Sequence, residues 1–251
     1  MLKMLKPNQK ALLSIVRTRS SATTENTNRT RKGAVFLLYS KCDTTTDSRN
    51  SFKVRYLCFF MKQLYIIAGP NGAGKTTASY TILPEIFDCY EFVNADEIAK
   101  GLSPFNPESV GLQAGRLMLN RIDELIKKEK TFAFETTLST KSYHSLILRV
   151  KELGYEVILL FLCLNSKELA IRRVKTRVTE GGHNIPTDVI ERRFENGLQN
   201  LFNRYVPIVD SWMLIDNSNE HFDFIAKGSK DEISIINSEK WIELKQKYYG
   251  E

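Results

Sequence analysis

The chain has 251 residues, of which 42% are hydrophobic and 26% charged, with a formal net charge of +7 and four cysteines. Such a composition is globular rather than fibrous or wholly disordered, and no apolar run reaches the roughly 18–20 residues that a membrane span needs. Cys42, Cys58, Cys89 and Cys163 form no CxxC pair and stand beside no spaced histidine pair, which argues against a disulfide framework or zinc knuckle and for free thiols in a reducing, cytoplasmic setting.

The charge is unevenly spread. Residues 1–60 hold 12 Lys+Arg against three acids (Glu25, Asp43, Asp47), a net of +9, whereas residues 61–251 hold 24 Lys+Arg against 26 Asp+Glu, a net of −2. The basic character therefore lies in the first sixty residues, and a nucleic-acid partner gains no support from the rest. Residues 17–51 are rich in Ser, Thr, Asn and Arg, and such stretches bury too little apolar surface to offset their ordering entropy. The expectation is a basic low-complexity leader over 1–60, with Met61 as the true initiator and one domain over 61–251. A transit peptide and a basic tail are the alternatives.

Leu64–Ala68 is a β-branched and aromatic apolar run, the profile of a buried parallel strand. Gly69-Pro70-Asn71-Gly72-Ala73-Gly74-Lys75-Thr76-Thr77 follows at once and completes the pattern GxxxxGK[ST] between a strand and a helix start. Backbone N–H groups of such a loop converge on phosphate oxygens, Lys75 reaches the β- and γ-phosphates of ATP, and the Thr76 hydroxyl is the expected Mg²⁺ ligand. Gly69, Asn71, Gly72, Ala73, Gly74, Lys75, Thr76 and Thr77 are thus the candidate nucleotide-binding residues.

Further strands are expected at Tyr90–Asn94, Thr131–Phe134, Val157–Leu164 and Trp212–Ile215, with a last hairpin arm at Phe222–Ala226. Helices are expected over Pro107–Lys130, Ser139–Leu153, Ser166–Glu180 and from Pro186 to about Tyr205. This alternation predicts an α/β P-loop fold, a parallel sheet flanked by helices, with ligand bound beyond the carboxyl ends of the strands. The polar residues at those ends are therefore candidates. Asp96 is placed to take the proton of an acceptor hydroxyl, or else to cap a helix. Glu135 and Thr136 are candidate substrate-side residues, Glu135 holding substrate or a Mg²⁺-bound water.

Arg172, Arg173, Lys175 and Arg177 precede Gly181-Gly182-His183, and Arg192 and Arg193 follow it. Two helices joined by a glycine hinge, with arginines on both arms, describe a lid that neutralises a moving phosphoryl group. Arg177 and one of Arg192 and Arg193 are the catalytic candidates, with both of the last two kept. His183 reads as a loop-ordering partner rather than a base.

GPNGAGKTT at Gly69–Thr77, FVNADEIAKGLSP at Phe92–Pro104, FAFETTLS at Phe132–Ser139 and RVTEGGHNIPTDVIERRF at Arg177–Phe194, in this order, resemble the zeta toxin family of P-loop kinases. The resemblance implies an adenylate-kinase-like fold with an arginine-bearing helical lid and ATP/Mg²⁺-dependent phosphoryl transfer. It implies UDP-N-acetylglucosamine as the hydroxyl acceptor and a small antitoxin protein as partner. It gives Lys75 and Thr76 the phosphate and Mg²⁺ roles, Asp96 the role of base, and Glu135 and Thr136 the substrate side. The sugar-binding insertions of the studied toxins are not recognisable in residues 61–251, a compact variant of the pattern. Two other functions fit the loop and lid: a nucleoside or polynucleotide 5′-kinase, and an ATP-switched binding protein without catalysis.

Overall fold

Gln63–Ala68 forms β1, buried from Leu64 onward because helices cover both faces of the sheet. The computed structural model describes residues 61–182 and 184–250. The other strands are β2 (Phe92–Val93), β3 (Phe132–Thr136), β4 (Glu156–Cys163), β5 (Ser211–Asp216), β6 (Asp223–Ser229) and β7 (Ile233–Ile235). They form one sheet in the order β2-β3-β1-β4-β5-β6-β7. Neighbours from β2 to β5 pair in parallel, and β6 and β7 add an antiparallel edge. β1 sits between β3 and β4, so the chain leaves it in one direction and later returns on the other side. The carboxyl end of β1 is therefore a topological switch point, where such sheets open a crevice.

The helices are α1 (Lys75–Ile86), α2 (Ala95–Leu102), α3 (Gly111–Lys127), α4 (Tyr143–Glu152), α5 (Lys167–Thr179), α6 (Thr187–Asn200) and α7 (Ser238–Tyr248). Several differ from the sequence expectation at their ends. The single helix expected over Pro107–Lys130 is a 3₁₀ turn at Pro107–Val110 followed by α3. It closes early because Glu129 turns left-handed (φ 52°) and the Lys130 amide reaches back to Leu125 O at 3.0 Å. The helix expected from Ser139 starts only at Tyr143, because Leu138 is also left-handed (φ 52°). The one expected to run to Tyr205 loosens into a π turn over Leu201–Tyr205. The hairpin arm became β6, and β7 and α7 were not foreseen.

Phe132, Phe134, Phe161, Leu64 and Ile66 are fully buried at the centre of the sheet. Each such side chain contributes about 1.5–3 kcal/mol over its exposed state. Trp241 of α7 stacks on Trp212 of β5, with centroids 5.6 Å apart and planes 10° apart, so the last helix docks on the edge of the parallel half. Cys89 and Cys163 are buried free thiols, as expected. Cys42, Cys58 and the leader call on 1–60 lie outside the described residues. Among the described residues no helix is long and apolar enough to cross a membrane.

Candidate active site

The loop after β1 needs backbone angles that side chains resist. Gly69 has φ +142°, and a Cβ there would lie 2.1 Å from Leu162 O. Gly74, at φ +77°, caps α1 in the left-handed region without a side-chain hydrogen bond. The first N–H groups of α1 thus stay available to an anion, on the end of the helix where its dipole favours one. The Ala73 amide donates to Pro70 O at 3.2 Å, closing the loop.

Lys75 is buried, donating to Pro70 O at 3.0 Å and lying 3.7 Å from Glu135 Oε1. Burial pulls the Lys75 ammonium below its ordinary range, against the pull of the Glu135 charge. Burial likewise pushes the Glu135 carboxyl up, opposed by Lys75 and by the Thr76 hydroxyl. Thr76 Oγ1 donates to Glu135 Oε2 at 2.8 Å, and Asn94 Nδ2 donates to the same oxygen at 2.8 Å. The carboxylate is therefore held by three groups, Lys75 and Thr76 from the start of α1 and Asn94 from the cap of α2.

Asn94 has a second task. Its Oδ1 accepts the amides of Asp96 (2.8 Å) and Glu97 (3.4 Å), which makes it the N-cap of α2. The cap is therefore Asn94, and Asp96, in the first turn of α2, does not supply it. It is exposed and lines two adjoining cavities of about 1000 Å³ and about 370 Å³.

Both cavities share Asn71, Lys75, Asp96, Glu135 and Arg193. The larger adds Gly72, Gly74, Thr76, Thr77 and Arg177, and the smaller adds Thr136 and Arg192. Of the candidate residues only Gly69 and Ala73 line neither. They shape the loop from beneath. α5 carries Arg177, exposed over the larger cavity. α6 carries Arg193, half-buried, which donates to Asn71 Oδ1 at 3.4 Å. Burial lowers the Arg193 guanidinium from its ordinary value while the Asp96 charge beside it pulls the other way. His183 lies outside the described residues.

Motif reading placed Arg173 among the lid arginines and gave Asn217 no role. Arg173 does not face the cavity as a free cation: Nη1 donates to Asn217 O at 2.7 Å and Nη2 to Ser218 O at 2.9 Å. Asn217 Nδ2 in turn donates to Ala73 O at 2.9 Å. Buried Asp216 secures this segment by accepting from the Ser218 amide (2.8 Å), the Ser218 hydroxyl and Lys240 Nζ (2.6 Å). The signal was present, since Asp216-Asn217-Ser218 ends a parallel strand on the ligand side of the sheet.

The residues fit a magnesium ion brought in with nucleotide. Thr76 Oγ1 and the Glu135 carboxylate are hard oxygen donors meeting at the floor of the larger cavity, and Mg²⁺ takes one or two protein oxygens plus phosphates and water. Among the described residues no group of three or more His, Cys, Asp or Glu could hold a metal by itself.

The profile of the zeta toxin family matches residues 60–227. An uncharacterized protein of Haemophilus influenzae is 34% identical over 128 residues, covering 50% of this chain and 88% of that protein. The solved complex of AvrRxo1-ORF1 and AvrRxo1-ORF2 with sulphate ions is similar at a TM-score of 0.61 and 20% identity, over 74% of this chain and 64% of that one. This chain thus spans under two thirds of that structure's length. The PezAT chromosomal toxin–antitoxin system of Streptococcus pneumoniae is similar at a TM-score of 0.50 and 15% identity, over 100% of this chain and 91% of that one. At such identities the two structures bear on the fold, and the family match on kinship.

Proposed function

The chain belongs to the zeta toxin family, and from that premise we propose that residues 61–251 are an ATP-dependent phosphotransferase acting on a hydroxyl of a small molecule. One observation carries the reading: Asp96 and Lys75 both line the larger and the smaller cavity, so a base and a phosphate-holding cation meet where the two join. ATP occupies the larger cavity with its phosphates on the loop, and the acceptor occupies the smaller. Asp96 takes the hydroxyl proton as the acceptor oxygen attacks the γ-phosphorus. The bond from that phosphorus to the β,γ-bridging oxygen breaks, and ADP leaves. Arg177 and Arg193 offset the charge that spreads over the transferring group. Thr76 and Glu135 would hold a magnesium ion arriving with the nucleotide, which would supply positive charge against the phosphates.

The family resemblance supports UDP-N-acetylglucosamine as the acceptor and a small antitoxin protein as partner. The test uses the full chain with ATP, Mg²⁺ and UDP-N-acetylglucosamine, reading ADP release and the mass of the product. The reading predicts a phosphorylated product whose formation Asp96→Asn abolishes while ATP binding persists. ATP binding with no transfer to any acceptor would instead identify a nucleotide-switched binding protein.

A further inference from the structure

α7 lies beyond residues 60–227, the stretch that matches the family, and it lines neither cavity. Its first turn is nevertheless tied to the phosphate loop. Asn237 caps the helix, its Oδ1 accepting the Lys240 amide at 3.1 Å, and Trp241 anchors the same turn on Trp212 of β5. Lys240 is thereby fixed beside the end of β5. Its Nζ donates to Asp216 Oδ2 at 2.6 Å and lies 3.6 Å from Asp223 Oδ2 of β6. The bond to Asp216 raises the Lys240 ammonium above its ordinary range. Asp216 is buried and Lys240 is 33% exposed, so the lysine brings a charge in from the surface to one held in the core.

The two oxygens of Asp216 do different work. Oδ2 takes Lys240, while Oδ1 accepts the Ser218 amide at 2.8 Å and the Ser218 hydroxyl. That hydroxyl in turn accepts the Asn165 amide at 2.7 Å, tying the turn after β5 to the end of β4. The turn so held presents two successive carbonyls to Arg173 of α5, Asn217 O at 2.7 Å and Ser218 O at 2.9 Å. It also sets Asn217 Nδ2 against the phosphate loop, 2.9 Å from Ala73 O and 2.7 Å from where a Cβ on Gly74 would lie. Gly74 and Arg173 both line the larger cavity. A continuous run of bonds thus leads from Lys240 to the loop that would hold the phosphates and to the helix above it.

Resting on the kinase reading, we propose that Lys240 is a positioning residue for the nucleotide. By holding the Asp216 carboxylate in place it locks the Asp216–Ser218 turn, and the turn keeps the phosphate loop and Arg173 set for ATP. Without the ammonium the buried carboxylate lacks its counter-charge, a costly defect that the turn shifts to relieve. Asn217 and Arg173 move with it. The Glu135 cluster lies on the other side of β1 and shares no hydrogen bond with this run. The effect therefore falls on ATP affinity. The C-terminal helix, which touches neither cavity, in this way sets how tightly the larger one binds.

The test titrates the full chain and its variants with ATP and Mg²⁺, beside urea unfolding of each. Lys240→Met is expected to raise the Kd for ATP about tenfold, the low end for one lost charge-assisted bond. Lys240→Arg, which restores the charge, recovers most of that loss. Val150→Ala, buried under α4 and outside this run, loses stability but keeps the wild-type Kd. Should Lys240→Met fail to fold, Lys240→Gln takes its place, removing the charge but leaving a donor. An unchanged Kd in the neutral variant overturns the proposal and leaves the kinase reading intact. So does an equal weakening in Val150→Ala, because affinity would then only follow stability, and so does a Lys240→Arg protein no better than the neutral variant. Wild-type protein that binds no ATP overturns the kinase reading itself, and this inference with it.

Discussion

At the phosphate loop the unusual backbone angles fall on glycines, with Gly69 at φ +142° and Gly74 at +77°. At the facing wall the same region of conformation falls on Leu138, at φ +52°. A left-handed leucine costs on the order of 1–2 kcal/mol. Full burial of the side chain returns about 1.5–3 kcal/mol, and the bonds to Thr136 and Asn200 add about 0.5–1.5 kcal/mol each. The balance favours the strained turn only because tertiary partners are present. One wall is therefore shaped by its own residues, and the other by what packs on it.

The largest expected effect tests the first wall. Gly69→Ala drives a Cβ against Leu162 O, so ATP affinity falls by at least about a hundredfold in a nucleotide-binding titration, with the melting temperature falling too. Asp96→Asn is the chemical counterpart. kcat falls roughly 10²–10⁴-fold with ATP affinity retained, because a general base is lost without a change of shape. Unchanged turnover in that variant would remove Asp96 from the mechanism.

The second wall is tested by a pair of substitutions. Leu138→Ala loses about 2–5 kcal/mol in urea unfolding, through the cavity it leaves. Leu138→Gly removes those atoms and the Cβ as well, but relaxes the left-handed angle. It is expected to be at least as stable as Leu138→Ala, reversing the usual order in which glycine is about 0.5–1 kcal/mol worse. The usual order at this site would show that the turn is unstrained. Asn200→Ala strands the buried Leu138 carbonyl, at about 1–3 kcal/mol, and raises the acceptor KM while leaving the KM for ATP alone.

The smallest effect is electrostatic and lies between the two walls. Burial raises Glu135 above its unfolded value, so between the two values the folded state binds more protons than the unfolded chain. Its contribution to stability is complete below the ordinary carboxyl range and is lost as pH rises through the raised value. Nucleotide-free protein should show that downward slope in denaturant titrations above pH 4.5, the ordinary value for the group, and Glu135→Gln should flatten it.

The same contrast explains what the sequence disclosed. The glycine pattern, the strand before it and the helix after it are local, so the loop and its lysine could be read directly. Asp96, Glu135 and Thr136 followed from one topological rule about strand ends. Leu138 carries no mark of its left-handed turn, since the side chain that holds its carbonyl is Asn200, some sixty residues on. Arg173 read as one more lid arginine because its acceptors are backbone carbonyls, which no residue pattern displays. Arg192 and Arg193 were indistinguishable until the helix was placed against the loop. The last strand and helix escaped notice because their apolar residues are few and mostly exposed, apart from Trp241 and Tyr248.

The tie between Asn217 and Ala73 spans 144 residues of chain. Contacts of such separation form late, because the intervening loop must close before they return any energy. The phosphate loop is made early in synthesis, yet its clamp can close only after β5 has been made and has joined the sheet. A growing chain therefore carries the whole GPNGAGKTT segment for most of its elongation without the support that holds it open to nucleotide.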